Sequence, residues 1–261
     1  MNTQAAAEYP LDNAWERGQR RLRGLELVYN PGTKRRLSAL GLEPGWACLE
    51  AGAGAGSIAR WLGEQVGPRG SVVAADVDIS LLTDMPSNVQ VRQLDVRVDP
   101  LPEGAFDLIH TRLLLNFIPE LDRVLDKFVA ALRPGGWLLL EEGDMSATGA
   151  LDEEEDHARV GAAWRRGLAA VAADVRVGKK LPRMVHERGL GEIGAECEIP
   201  FAEGGSAGVE FMLLTVDQLN ERTPEGILDA ETISRWRQKL AQRGRWFASL
   251  GIVATQARRV P

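Results

Sequence analysis

The sequence predicts an α/β fold in which a parallel sheet is covered by helices on both faces. Three observations carry this reading. Short apolar runs alternate with stretches of helical periodicity between Trp46 and Glu142. Five of those runs end on a polar group: Glu50, Asp76, Asp95, His110 and Glu141. The first run enters its helix through a glycine-rich step, Gly52-Ala-Gly54-Ala-Gly56-Ser57. In a parallel sheet the carboxyl ends of the strands lie along one edge, and ligands of open α/β sheets bind there. The five polar groups therefore mark a site by position alone.

Residues 1–44 read as helical, with basic and apolar side chains interleaved from Arg17 to Val28 and a second short helix after Pro31-Gly32. Trp46–Glu50 is the first strand. Ile58, Trp61, Leu62 and Val66 fall at helical spacing, and Gly67-Pro68-Arg69-Gly70 ends that helix as a turn. Val72–Asp76 is the second strand, Val89, Val91 and Leu94 mark a third that leads to Asp95, and Phe106–His110 is the fourth. Leu121, Val124, Leu125, Phe128, Val129 and Leu132 form an apolar helical stripe, stopped by Pro134-Gly135-Gly136 before a fifth strand at Trp137–Glu141. After Ser146, the acidic run Asp152–Asp156 opens a helix reaching about Ala173, since acids suit the positive end of a helix. Lys179–Arg188 reads as a short helix, Glu196–Pro200 as a sixth strand, Val209–Leu219 and Asp229–Gln242 as helices, and Trp246–Thr255 as the last strand.

Composition narrows the function classes. The chain has 261 residues, 44% apolar and 26% charged, with a formal net charge of −6. That length supports a self-sufficient core. Cys48 and Cys197 are the two cysteines, which excludes a disulfide framework, and Cys48 belongs in a buried strand as an inert side chain. The apolar fraction excludes a mainly disordered chain, and no apolar run approaches the roughly 18 residues of a membrane span. The N-terminal stretch MNTQAAAEYPLDN has no basic segment followed by a hydrophobic one, so no signal peptide is expected and the cytoplasm is the default. The acidic balance, without a basic tract, speaks against nucleic acid.

The glycine loop fits two templates. Gly54-x-Gly56-x-x-Ala59 satisfies a loose dinucleotide pattern, and Glu50-x-Gly52-x-Gly54-x-Gly56 satisfies the nucleoside-binding loop of S-adenosylmethionine-dependent methyltransferases. Asp76, 20 residues after Gly56, can accept both ribose hydroxyls in either case. Glu50 is hard to place beside a pyrophosphate and easy to place opposite a sulfonium or amino group. Asp95 is positioned to meet an adenine amino group.

The segments CLEAGAGAGSIARWL, VVAADVD, VRQLDV, FDLIHTRLLLNFIPE and LRPGGWLLLEE follow in order over residues 46–143. Together they resemble a class I S-adenosylmethionine-dependent methyltransferase of the bacterial small-molecule type. The earlier YNPGTKRRL and LGLEPGW are similar to the same group. The resemblance implies a Rossmann-like, mostly parallel seven-stranded sheet with helices on both faces, and N-terminal and inserted helices forming a lid. It implies one domain: a lid over 1–44, a cofactor-binding core over 45–143, and substrate-side helices with the last two strands over 144–261. It implies S-adenosyl-L-methionine as cofactor, S-adenosyl-L-homocysteine as its product, and a small organic substrate. Neither nucleic acid nor membrane is implied, no metal is called for, and a homodimer is allowed.

Carried over by position, Glu50, Ala51 and Gly52 would face the methionine part of the cofactor, with Gly54 and Gly56 forming the turn beneath it. Asp76 would hold the ribose with Val77 against the adenine, and Asp95 would take the adenine amino hydrogen with Val96 beside it. His110 would sit near the sulfonium, where it is the candidate base. Tyr29, Arg112 and Trp164 are candidate substrate residues, Arg112 as an orienter of an anionic group, and Trp246 is a further aromatic for the cavity wall. Family members of this type often read Leu-Leu-x-His-Leu-Pro where this chain has Leu115-Asn116-Phe117-Ile118-Pro119; that histidine is absent. His157, four residues after Glu153, is expected on an exposed helix face, and His186 on the surface.

Three other readings share these motifs. The cofactor could serve a decarboxylation, a cyclisation or a pericyclic step without methyl transfer. The fold could be a binding module. The loop could serve a nicotinamide-dependent dehydrogenase.

Overall fold

The structure, a computed structural model, describes residues 17–144, 155–170, 173–222 and 226–260. Its first half runs α1 (Gly18–Ala39), β1 (Ala47–Ala51), α2 (Ser57–Val66), β2 (Ser71–Asp76), β3 (Val89–Gln93), β4 (Phe106–Arg112), α3 (Leu121–Ala131) and β5 (Leu132–Gly143). The second half runs α4 (Glu155–Ala170), α5 (Leu181–Glu187), β6 (Gly191–Glu198), β7 (Phe201–Glu203), α6 (Ala207–Arg222), α7 (Ala230–Leu240), β8 (Trp246–Ala248) and β9 (Ile252–Arg258).

Seven strands form one sheet in the order β3-β2-β1-β4-β5-β9-β6, and β7 pairs with β8 in a separate two-stranded sheet. The first five strands are mutually parallel, while β9 runs antiparallel to both neighbours. This is the Rossmann-like, mostly parallel arrangement that the sequence predicts. The strand order reverses at β1, with β2 on one side and β4 on the other. A crevice must open there at the carboxyl ends, because the connections leave toward opposite faces.

Successive residues of β1 point to opposite faces. Leu49 joins Ile109, Leu138 and Leu140 in a core covered by Val124, Leu125 and Phe128 of α3. Cys48 joins Leu108 and Val72 beneath Ile58, Leu62 and Val66 of α2. Each such aliphatic or aromatic side chain contributes roughly 1.5–3 kcal/mol on burial. A third cluster brings Tyr29 of α1 together with Trp164, Phe211 and Trp236 from α4, α6 and α7.

Several boundaries differ from those read in the sequence. The first helix is continuous through Pro31 rather than split in two. It lies along α6, tied there by ion pairs from Arg17 to Asp217 and Glu221 and from Arg20 to Glu210, and this support outweighs the hydrogen bond a proline removes. The expected last strand, Trp246–Thr255, is two strands separated by Ser249–Gly251, and they belong to different sheets. The sixth strand begins at Gly191, five residues before its expected start. Ser146 and Asp152–Glu154 lie outside the described residues. Asp156, expected as part of a solvated helix start, is buried and paired with Arg235 and Lys239.

His157 is also buried. Its Nδ1 accepts the Trp236 Nε1–H at 3.0 Å, its Nε2 lies 3.0 Å from the Ala248 carbonyl, and Phe247 stacks on the ring. Glu153 lies outside the described residues. Trp246, expected as a cavity-wall aromatic, is 62% exposed on β8. His186 is exposed.

Candidate active site

The crevice at the switch point is a cleft of about 1230 Å³, counting the part open to solvent. The β1–α2 loop forms its floor, the ends of β2 and β3 one wall, and the segment after β4 the other. Arg21, Leu22, Leu25 and Glu26 of α1 line its remaining side.

The floor exists because glycine permits it. Gly54 has φ +56° and Gly56 φ +80°, conformations that side-chain-bearing residues rarely adopt. The two positions do different work. Gly54 faces the cleft, and a Cβ there would lie 3.7 Å from Leu22. Gly56 is the residue before α2 and does not line the cleft; a Cβ there would lie 2.1 Å from the Met85 methyl and 2.9 Å from Leu82. Gly56 is therefore a packing residue under the loop.

Asp76 closes β2 and folds the loop. Its Oδ2 accepts the Gly54 N–H at 2.8 Å and its Oδ1 the Asp78 N–H at 3.1 Å. Burial pushes its pKa above the ordinary carboxylate range against those backbone bonds. Val77 lines the cleft and is 45% exposed, so an apolar surface faces a vacant flank of the wall. Asp95, two residues beyond β3, and the buried Val96 also line the cleft. Arg97 grips Asp95 through Nε and Nη2 at 2.8–3.1 Å, which holds the Asp95 carboxyl below its usual range.

Glu50 lines the cleft from the end of β1. Behind it stands His110, fully buried on β4, with Nδ1 2.6 Å from Glu50 Oε2 and Nε2 3.2 Å from Glu141 Oε2. Burial lowers the His110 pKa, but the Glu50 charge and the Glu141 hydrogen bond overcome that and raise it to about 9. Burial raises the Glu141 pKa, yet the contacts to His110 prevail and take it down to about 2. His110 does not line the cleft, where the sequence reading puts it: in register with Glu50 across β1 and β4, it stands behind that carboxylate on the same face of the sheet. Ala51 is likewise a core residue rather than a cleft residue, being fully buried on the opposite face to Glu50.

The substrate candidates separate. Tyr29 is buried, with its hydroxyl against Ser249 Oγ and donating to the Leu250 carbonyl, both at 2.9 Å, and it lines no part of this cleft. Arg112 lines the cleft but donates to Thr33 at 2.8 Å and Asn30 at 3.0 Å, tying α1 to the end of β4. Trp164 lines a second cavity next to the first. Phe117, at the segment that departs from the family pattern, borders both cavities.

Glu142 is a residue the sequence reading missed. It is fully buried, and it accepts the N–H groups of Leu114, Leu115 and Asn116 at 2.9–3.2 Å. Burial raises its pKa to about 8 against those three bonds. Its signal was the second acid of the Glu141-Glu142 pair, since adjacent strand residues point to opposite faces. Leu113 holds φ +55°, costly for a leucine, with its N–H donated to the Glu141 carbonyl at 2.8 Å. The walls after β4 are thus fixed from beneath by β5.

A family model described as a methyltransferase domain matches residues 16–191, more than half of the chain. The chain belongs to this methyltransferase-domain family. The matched span takes in the whole cleft, from α1 to the start of β6. Methyltransferase str2 of Strobilurus tenacellus is 33% identical over 157 residues, covering 58% of this chain and 56% of that protein. The chain spans about half the length of the curated relatives it matches. Among solved structures, the phosphoethanolamine N-methyltransferase 2 of Haemonchus contortus, in complex with S-adenosyl-L-methionine, superposes with a TM-score of 0.58 at 14% identity, over 95% of this chain and 59% of that one. The cyclase SpnF superposes with a TM-score of 0.53 at 17% identity, over 95% of this chain and 84% of that one. At such identities the two structures share the fold.

S-adenosyl-L-methionine is the cofactor of the class I methyltransferases, and the donor set of this methyltransferase domain suits it. Three carboxylates, Glu50, Asp76 and Asp95, border a floor of glycines and small side chains, Gly52 to Ala55. The molecule offers a sulfonium, an ammonium, two ribose hydroxyls and an adenine amino group, all complementary to carboxylates. Among the described residues, no group of three metal-ligating side chains is gathered, and no helix is long and apolar enough to cross a membrane.

Proposed function

We propose that this chain binds S-adenosyl-L-methionine in the cleft and transfers its methyl group to a small organic molecule. The observation that carries the reading is the pairing of Glu50 and Asp76 across one glycine floor. A pyrophosphate in the same place would meet Glu50 at short range, a repulsion on the order of 1–4 kcal/mol at 4 Å. That weighs against a nicotinamide cofactor.

The roles follow from position. Glu50 faces the ammonium and sulfonium end, Gly52 and Gly54 let the backbone approach, and Asp76 accepts the ribose hydroxyls. Val77 and Val96 flank the adenine, with Asp95 at its amino group. When bound, the cofactor supplies a methyl on cationic sulfur that a substrate lone pair displaces in line, leaving neutral S-adenosylhomocysteine. The protein's part is alignment, which can supply several kcal/mol. His110 is a positioning residue in this scheme: it fixes the Glu50 carboxylate from behind and does not itself line the cleft. Helix α1 acts as the cover expected of residues 1–44. The net charge of −6 supports a small-molecule partner rather than nucleic acid. The free thiols Cys48 and Cys197 support a reducing compartment such as the cytoplasm.

The test is incubation with methyl-labelled S-adenosyl-L-methionine and a panel of phenols, amines and carbon acids. The expected result is S-adenosylhomocysteine formed in step with label in an extractable product. Tight binding of a nicotinamide dinucleotide with no affinity for S-adenosyl-L-methionine would overturn the reading.

A further inference from the structure

A second cavity of about 510 Å³, counting its open part, adjoins the cofactor cleft. Leu25, Leu113 and Phe117 border both spaces, so the two meet at these side chains. The deeper walls of this annex are Trp164, Phe211 and Leu250. Its lining comes from α1, α4 and α6 together with the segment after β4, the end of β5 and the neighbouring loops, all outside the glycine floor.

The chemistry of its lining is specific. Among the described residues no carboxylate lines it, which disfavours a cationic substrate. Arg21 stands where the annex meets the cleft, and it already has a partner within the fold. The polar side chains deeper in are engaged. Asn116 Nδ2 donates to the Gly143 and Asp174 carbonyls at 3.2 and 2.7 Å, its Oδ1 accepts the Gly143 N–H at 3.1 Å, and Thr215 Oγ1 donates to the Phe211 carbonyl at 2.8 Å. Trp164 is different. It is 6% exposed, and among the described residues its indole Nε1–H has no acceptor. An indole donor buried without a partner forfeits a hydrogen bond that water would have given, and buried tryptophans usually find one. A ligand acceptor in the annex satisfies it.

We infer that the methyl acceptor is a neutral, largely apolar ring compound seated in the annex, with a carbonyl, ether or aromatic-nitrogen acceptor taking the Trp164 indole N–H. This rests on the methyl-transfer reading for the name acceptor; the binding site itself stands on the annex. The bulky apolar wall selects for ring size, and the unmatched indole N–H selects for an acceptor atom.

The experiment uses the full chain with three probes of one ring size: acetophenone, toluene and benzoate. Binding is followed by the ¹⁵N-labelled indole signals, that of Trp164 being the one missing from Trp164→Phe. S-adenosyl-L-methionine affinity is measured on every sample. Acetophenone is expected to shift the Trp164 signal saturably, with the cofactor present or absent, and to lose about three- to tenfold in affinity in Trp164→Phe. Toluene is expected to bind equally to both proteins, and benzoate not to bind. Leu168→Trp, which fills the annex, is expected to abolish acetophenone binding while cofactor affinity stays unchanged. Preference for benzoate, unchanged acetophenone affinity in Trp164→Phe, displacement of acetophenone by the cofactor, or acetophenone binding to Leu168→Trp would each overturn the inference. Loss of cofactor binding by the unmodified chain would instead sink the methyl-transfer reading, and the probe titrations would still report on the annex.

Discussion

His110 Nδ1 lies 2.6 Å from Glu50 Oε2, so a fully buried imidazole on β4 holds the carboxylate that faces the cofactor cleft. The contact is one link of a longer chain. Glu141 takes the other ring nitrogen at 3.2 Å, Arg36 Nη1 donates to Glu141 Oε1 at 2.7 Å, and Arg36 continues to Glu196 and Glu198 at the edge of the sheet. Charges alternate in sign along it, which lets Glu141 remain ionised in an apolar sheet. The geometry of the cleft is thereby coupled to α1, which carries Arg36.

That arrangement gives stability an alkaline limit. The folded His110 pKa, about 9, is raised above the ordinary histidine value. The stabilisation is therefore complete below the unfolded value of about 6.5 and is lost as pH rises through about 9, an effect on the order of 3 kcal/mol. Urea unfolding at pH 6.5 and 9.5 checks this. Both proteins should lose stability over the interval through Glu142, whose folded pKa of about 8 lies above its unfolded value, but the unmodified chain should lose more, so that the deficit of His110→Gln at pH 6.5 closes by pH 9.5. Parallel losses in both proteins would dismiss His110 as the titrating group.

Arg36 and Arg35 touch the same two carboxylates, Glu196 and Glu198, but only Arg36 is buried and reaches Glu141. Arg36→Met should cost about 3–5 kcal/mol, because Glu141 is left buried with one partner fewer. Arg35→Met, at an exposed side chain, should cost less than about 1 kcal/mol. Denaturant midpoints of the two variants measure the difference, and equal losses would contradict the buried chain of charges.

The glycine floor separates binding from folding. Gly56→Ala places a Cβ 2.1 Å from Met85 at a φ of +80°, so it should destabilise the fold by about 1–3 kcal/mol. Gly54→Ala has room, with Leu22 3.7 Å away, but puts a methyl group into the cleft. It should weaken cofactor binding by more than its modest loss in melting temperature explains. Calorimetric affinity and thermal melts on both variants test the split, and it fails if Gly56→Ala is the one that melts normally.

The cofactor half was readable because its signals are local. β1, β2 and β4 are short apolar runs that end on the residues the site uses, and Asp76 follows Gly56 at fixed spacing. What the sequence hid depends on partners far along the chain. His110 meets Glu50 across 60 residues and Glu141 across 31. His157 reads as an exposed helical residue, yet Trp236 and Ala248 enclose it from 79 and 91 residues away. Pro31 reads as a helix break because the supporting surface, α6, begins only at Ala207. Trp164 shows its unmatched indole only once α1, α4 and α6 are packed together.

The most direct test is a calorimetric titration of the unmodified chain and of Asp76→Ala with S-adenosyl-L-methionine. Asp76 lines the cleft, and in the proposed function it accepts the ribose hydroxyls. Hydrogen bonds to a charged acceptor are worth about 1.5–3 kcal/mol each, so the variant should bind at least about tenfold more weakly at a single site. Equal affinity of the two proteins, or no binding by the unmodified chain, would contradict a cofactor held in this cleft by Asp76.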